Sequence, residues 1–273
     1  MKEISPFVTT QRGVLFCDDC VKITGKIKPG VIDTVFADPP FNISKNYGNG
    51  YDDNLSKEDY FKWSQIWIDE CIRVLKPGGA FFLYALPELA VKFAAMMGEE
   101  MTFRHWIALT MKGSYPRGNK LYPAHYALLY YTKGKPKTFN KLRLPIPKCR
   151  HCGGELPNYG GHRSKMNPAG VSLTDFWIDT SPNRHKKFKV RPGVNELKLV
   201  IPERAILMST NPGDIVLDPF GGGGSTYQAA EFNERNWIGM ELHDCPYIKK
   251  RLKENLLSSF DQEPSFDYKE LFI

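Results

Sequence analysis

The stretch Asp218-Pro219-Phe220-Gly221-Gly222-Gly223-Gly224-Ser225-Thr226 constrains this chain most. Before it, Ile215-Val216-Leu217 is a short apolar run and reads as a buried strand. After it, residues 227–235 read as a helix. A strand, a glycine turn and a helix N-terminus together let backbone approach a ligand closely. Trp237-Ile238-Gly239-Met240 reads as the next strand, and Glu241 at its end is placed to accept hydrogen bonds from ribose hydroxyls.

The N-terminal half repeats the pattern. Gly13 to Phe16 reads as a short strand ending in Cys17-Asp18-Asp19-Cys20, where Asp19 also reads as a turn cap. Val31 to Ala37 reads as a central strand running into Asp38-Pro39-Pro40-Phe41. The two prolines carry no N–H, so this corner presents carbonyls, a carboxylate before them and a ring after them. Two acceptors and a flat face are what holding an exocyclic amino group requires. Residues 42–54 read as a mobile loop beside the site. Ser56 and Asp59 form a capping box for a helix whose stripe Tyr60, Trp63, Trp67, Cys71 and Val74 reads as core, ended by Lys76-Pro77-Gly78-Gly79. Strands are expected at 80–85, 103–111 and 126–131, a helix from Pro87 to about Gly98, and Lys112 to Tyr122 as a loop with basic residues. Further helices are expected at 196–210 and 244–257.

Composition locates a different property. The chain of 273 residues has formal charge +7. Residues 133–191 hold 14 Lys/Arg against 3 Asp/Glu, which leaves the rest of the chain negative. There the helix and strand periodicity also fails, so this segment reads as an inserted element that binds a polyanion. Its densest run contains Arg184, Lys186, Lys187, Lys189 and Arg191, natural phosphate contacts. Cys149 and Cys152 have the spacing of half a zinc site, but only His151, His162 and His185 stand near them in the chain, and the like spacing of Cys17 and Cys20 reads as coincidence, so no metal is expected. The six cysteines read as free thiols, no apolar run is long enough to span a membrane, and no secretory pattern opens the chain, which suggests a cytoplasmic protein.

Asp-Pro-Phe-Gly-Gly-Gly-Gly resembles the S-adenosyl-L-methionine (AdoMet) motif of the amino-group DNA methyltransferases, and Asp38-Pro39-Pro40-Phe41 resembles their catalytic motif. Catalytic motif first, insertion next and cofactor motif last is the order of the permuted β group. The resemblance implies a Rossmann-like α/β fold, circularly permuted, with a catalytic half at 1–132, a target-recognition insertion at 133–195 and a cofactor half at 196–273. It implies AdoMet held by Asp19, Asp218, Phe220, Gly222, Gly224, Ser225, Thr226 and Glu241. It implies catalysis at Asp38, Pro39, Pro40 and Phe41 on a flipped base of double-stranded DNA. An Asp at the first motif position leans to adenine N6 over cytosine N4. The family's Lys-Pro before the cofactor motif is replaced here by Glu196-Leu197-Lys198. No cysteine follows a proline, so the covalent route of cytosine-C5 enzymes is not expected. The resemblance leaves room for a homodimer and a cognate restriction endonuclease. Two readings from other classes stand beside it: a non-catalytic nucleic-acid clamp on the same fold, and, more remotely, an NAD-dependent oxidoreductase.

Overall fold

The computed structural model describes residues 5–44, 53–111, 118–119, 121, 124–149, 151–155, 161–183, 185, 187, 189, 195–256 and 258–273. The elements in chain order are β1 (Val8–Thr10), β2 (Gly13–Phe16), α1 (Cys20–Thr24), β3 (Ile32–Ala37), α2 (Lys57–Val74), β4 (Leu75–Ala85), α3 (Pro87–Gly98), β5 (Thr102–Thr110) and β6 (His125–Thr132). They continue with β7 (Arg143–Leu144), β8 (Val171–Ser172), β9 (Phe176–Trp177), α4 (Val200–Ser209), β10 (Ile215–Asp218), α5 (Ser225–Phe232), β11 (Asn236–Met240) and α6 (Cys245–Asn255).

The main sheet has the order β1-β2-β11-β10-β3-β4-β6-β5-β9. Strands β2, β11, β10, β3 and β4 are mutually parallel, and β6 runs antiparallel between β4 and β5. The parallel strands bury both faces, which is why they read as mostly apolar stretches without a polar face. Val35 and Ala37 of β3, Leu217 of β10 and Ile238 of β11 pack with Ile23 of α1, Trp67 of α2 and Phe93 of α3. On the opposite face Phe36 packs with Ile201 of α4, while Val216 and Trp237 pack with Ala229 of α5 and Ile248 of α6. The result is a sheet between two helical layers.

Strands β3 and β10 are neighbours in the sheet. From β3 the chain moves one way, to β4; from β10 it moves the other way, to β11. Ligands in open α/β sheets bind beyond the strand carboxyl ends at such a divergence. Both sequence motifs begin where these two strands end.

The observed boundaries depart from the expected ones in instructive places. Lys76-Pro77-Gly78-Gly79 does not separate helix from strand; it is already inside β4. The register against β3 shifts between Ile32 and Thr34, and Gly78 has φ +80 with the backbone of Lys137 2.8 Å from where its Cβ would be. The stretch is thus an irregular strand start, and Leu75 already has an extended backbone. The helix expected at 196–210 begins only at Val200, and a short helix, α1, was not expected. Ser56 caps α2 as anticipated, accepting from Asp59 N at 3.1 Å and donating to Asp59 Oδ2 at 2.7 Å.

The basic insertion is stitched to the core. Strand β9 extends the main sheet beside β5. Trp177 is buried against α4, with the Arg204 guanidinium 5.0 Å from its ring centroid and Arg204 paired to Asp179. That ion pair holds the Asp179 carboxyl below its ordinary range. Strands β7 and β8 pair separately. Of the expected loops at 42–54 and 112–122, residues 45–52, 112–117, 120 and 122 lie outside the described residues. Among the described residues, no helix is long and apolar enough to cross a membrane.

Candidate active site

At the carboxyl ends of β3 and β10 lies a cleft of about 250 Å³. A space of that size suits a small molecule or a base better than a single water. Asp38, Pro39, Pro40 and Phe41 line it, and so do Asp19, Phe220, Gly222 and Glu241. Residues 38–41 and Pro219, Phe220, Gly222 and Gly223, far apart in the chain, therefore share one cavity.

The glycine turn is fixed by side chains on all sides. Asp218 Oδ1 accepts from Phe220 N at 2.9 Å, and Glu241 Oε2 accepts from Gly222 N at 2.8 Å. Gly221 N donates to Met240 O at 2.8 Å, tying the turn to the end of β11. The Tyr227 hydroxyl lies 3.2 Å from Asp218 O and 3.1 Å from Met240 O, bridging both strand ends. A Cβ on Gly221 would sit 2.5 Å from that hydroxyl, so glycine is required for the closure. Gly222 has φ +51, and a Cβ there would meet nothing nearer than Phe220 O at 3.9 Å. Space that a side chain would fill is left on the ligand side. The Phe220 ring stands edge-on to Trp67, with centroids 5.0 Å apart.

Four residues expected to touch the cofactor stand elsewhere: Asp218, Gly224, Ser225 and Thr226 do not line the cleft. Asp218 is buried behind the turn, where desolvation pushes its carboxyl well above the ordinary range, with Asp38 and Glu241 adding to the effect. Thr226 contributes a side-chain hydrogen bond to Asp218. Ser225 Oγ donates to Leu197 O at 2.8 Å, and Gly224, at φ +75, is the N-cap of α5. Their geometry supports the turn.

The corner after β3 is built differently. The Tyr60 hydroxyl donates to Pro40 O at 2.7 Å, so that carbonyl is already engaged. The Phe41 ring packs against Tyr84 at 5.9 Å and Tyr126 at 6.4 Å, and Tyr84 stacks on Tyr126 at 5.1 Å. Beyond Phe41, the Asp53 carboxylate accepts from Asn42 N at 3.0 Å and Ile43 N at 3.1 Å, closing the neck of the loop. Asp19 both lines the cleft and caps α1, accepting from Lys22 N at 3.0 Å.

Sequence reasoning missed Trp63, Tyr84, Tyr126, Asn183 and Glu196, all on the cleft. Trp63 belongs to the stripe read as core, and it packs on Phe220 at 5.8 Å. Glu196 stands where the family's Lys-Pro was sought; it is buried, 3.6 Å from Arg251 Nη1, with its side chain against Gly223. Asn183 reaches the cleft from the insertion and hydrogen-bonds Tyr126.

No lysine or arginine is among the described residues that line the cleft, while six carboxylates are, Asp18, Asp19, Asp38, Glu196, Glu241 and Asp244; of these Asp18 is paired to Lys22 and Glu196 to Arg251, and both cations lie outside the lining. Such a cavity suits a cationic ligand. Cys20 also lines it, but burial pushes its thiol up to about 12, so it is no thiolate nucleophile at neutral pH.

Of the expected DNA-binding residues, Lys187 is exposed and Lys189 half-buried; Arg184, Lys186 and Arg191 lie outside the described residues. Cys149 and Cys152 share a turn in which Cys149 N donates to Gly154 O at 2.8 Å and Gly153 N to Cys149 O at 2.9 Å. Among the described residues, no third metal-ligating side chain joins them.

The BamHI type II methyltransferase of Bacillus amyloliquefaciens is 48% identical over 254 residues, covering 93% of this chain and 60% of that protein. This chain thus spans well under two thirds of that relative's length. The TTHA0409 protein of Thermus thermophilus, complexed with S-adenosyl-L-methionine, shares the fold at a TM-score of 0.61 and 20% identity, covering 91% of this chain and 98% of that one. The PvuII cytosine-N4-specific DNA methyltransferase does so at 0.62 and 17%, covering 97% and 92%. The profile of the N6/N4 DNA methylase family matches residues 32–250, and the chain belongs to that family.

Proposed function

We propose that the chain transfers a methyl group from AdoMet to the exocyclic amino nitrogen of a base in double-stranded DNA. The observation that carries this reading is the single anionic cleft lined by both the Asp38–Phe41 corner and the Phe220–Gly222 turn. Its residues fit the cofactor. The carboxylates suit a sulfonium and an ammonium, Glu241 is set to meet ribose hydroxyls, Asp19 the adenine amino group, and Gly222 leaves room for close approach. When bound, AdoMet supplies an activated methyl, so no covalent enzyme intermediate is needed.

The protein's task is then to prepare a poor nucleophile, because the amino lone pair is delocalised into the base ring. Asp38 and the Pro39 carbonyl accept its two N–H bonds and favour a pyramidal nitrogen. Pro40, whose carbonyl is engaged by Tyr60, stiffens the corner. Phe41 stacks on the base once it leaves the duplex. Positioning and electrostatics carry the step. Within this reading adenine N6 is the first target, resting on the Asp at position 38. Cytosine N4 is the second, since the matching family takes in both amino targets.

We assign the core to 1–132 and 196–273 and target recognition to 133–195, with phosphates met by the basic run around Lys187 and Lys189. Neutralising these two lysines should lower the log–log salt slope of DNA binding by roughly 0.9 for each phosphate no longer neutralised. An unchanged slope would place them on an ordinary solvated face. The decisive test is labelled-methyl transfer to DNA followed by mass spectrometry of the nucleosides. N6-methyladenine or N4-methylcytosine supports the reading and chooses the target; 5-methylcytosine or no transfer refutes it.

A further inference from the structure

Tyr84 lines the cleft, and nothing above uses its hydroxyl. It lies near the end of β4 and is 3% exposed. Its ring stacks on Tyr126 and packs on Phe41. Its hydroxyl is buried and has no hydrogen-bond partner among the described residues. Three other buried side-chain atoms share that condition there, on Trp67, Tyr130 and Asn236, and none of those residues lines the cleft. A buried hydroxyl without a partner is costly, and one on the wall of a binding site gains its partner from a ligand.

We propose that Tyr84 is a specificity-determining residue that donates a hydrogen bond to the ring nitrogen beside the target amino group, adenine N1 or cytosine N3. This rests on the amino-methylation reading and adds to it. Adenine and cytosine both present an N–H donor next to a ring-nitrogen acceptor on the Watson–Crick edge. Guanine and thymine present the reverse order at the equivalent atoms, a carbonyl next to an N–H. Asp38, when ionised, only accepts, and burial holds the Tyr84 phenol well above its ordinary value, so it keeps its proton. An acceptor beside a donor matches the two amino bases and rejects the two oxo bases. Phe41 and Tyr126 supply no such discrimination, since every base has a flat face.

The test is a double-mutant cycle on a synthetic duplex carrying the methylation site mapped for the wild-type enzyme. The target base is either natural or its deaza analogue, 1-deazaadenine or 3-deazacytosine, with CH in place of the ring nitrogen. Tyr84→Phe keeps the ring and its stacking. Single-turnover methyl transfer should fall about tenfold for either change alone, and the two together should cost no more than one. AdoMet affinity should stay within about twofold of wild type. Wild-type rates for Tyr84→Phe on the natural base, or losses that multiply, would overturn the assignment. If the variant does not fold, wild-type enzyme indifferent to the ring nitrogen would overturn it equally. Wild-type enzyme that methylates no base at all would refute the amino-methylation reading itself, and the role of Tyr84 with it.

Discussion

The two walls of the cleft are built by opposite means. The β10 wall is braced by hydrogen bonds: Asp218 to Phe220 N, Glu241 to Gly222 N, Gly221 N to Met240 O, and Arg251 to Gly223 O at 2.8 Å. The β3 wall has two prolines without N–H, the Tyr60–Pro40 clasp and rings packed on rings, and its hydrogen bonds to Asp53 lie beyond Phe41, at Asn42 N and Ile43 N. The first wall fixes backbone donors and carboxylates in place, which suits a cofactor that must bind in one pose. The second presents acceptors and flat faces, which suits a base that arrives from a duplex. Damage to the first should change whether the cofactor binds; damage to the second should change whether chemistry follows.

The sharpest way to break this division is Asp38→Ala. Under the proposed mechanism it removes an acceptor for the target amino group, and it leaves the glycine turn intact. Turnover should fall by about a thousandfold, equivalent to ~4 kcal/mol of transition-state stabilisation. AdoMet affinity measured by calorimetry should stay within a few-fold. Near-normal turnover would sink the amino-holding mechanism. A parallel collapse of cofactor affinity would show that the walls do not divide the work.

Phe41→Ala should have a smaller and different effect. Losing one stacking face costs roughly 1–3 kcal/mol, so kcat/KM should fall about ten- to a hundredfold through weaker capture of the flipped base. Fluorescence of 2-aminopurine at the target position reads that capture directly. An unchanged signal would leave Phe41 as packing for Tyr84 and Tyr126.

Glu241→Gln tests the other wall. The Glu241 carboxylate accepts from Gly222 N, and from His243 N and Asp244 N at 3.2 and 3.3 Å, while also lining the cleft. Removing its charge should weaken AdoMet binding about tenfold and lower stability by about 1 kcal/mol, since it loses charge-assisted hydrogen bonds. The two losses should appear together in calorimetry and thermal melts. A fall in affinity with no change in melting would mean that the turn is set without Glu241.

The contrast between walls also explains what was legible in the sequence. Strands β3 and β10 announce themselves because both their faces are buried, giving Ile215-Val216-Leu217 as an apolar run and Val31–Ala37 as one broken only by Asp33 and Thr34. Even within one turn the roles were not all legible: Asp218 reads as a cofactor contact, and only the folded turn shows it accepting from Phe220 N behind the cleft. Tyr84, Trp63 and Glu196 could not be read as cleft residues. Tyr84 sits in a run from Ala80 to Ala85 that is buried throughout, so no polarity contrast marks it as facing a cleft. Trp63 shares the helical spacing of core residues, and only the placement of Phe220 puts it on the cavity. Glu196 reads as a substitution in a motif until Arg251, from the last helix, closes on it. The insertion looked separate because its strands are two residues long; Trp177 and Arg204 join it to the core through a packing that periodicity does not carry.

The smallest effect is expected behind the glycine turn, at Asp218→Asn. Burial, with Asp38 and Glu241 nearby, raises the Asp218 carboxyl well above its ordinary 3.8. A carboxyl whose folded value is raised binds its proton more tightly in the folded state. Its stabilising contribution is fully present below 3.8 and is lost as pH rises through the folded value. Asparagine keeps an oxygen for Phe220 N and carries no charge at any pH, so the variant escapes that loss. In the cofactor-free protein it should melt above wild type at about pH 7, and the gap should close as the pH is lowered toward about 4. A gap of about 1 kcal/mol corresponds to roughly 2–4 °C in Tm for a chain of this size class, which scanning calorimetry resolves. Wild type equal to or above the variant near neutral pH would mean that Phe220 N–H and Thr226 stabilise the anion enough to offset burial. Asp218 would then stand as a third charged brace of the turn, and the β10 wall would be more strongly polarised than the carboxylates on its open face already make it.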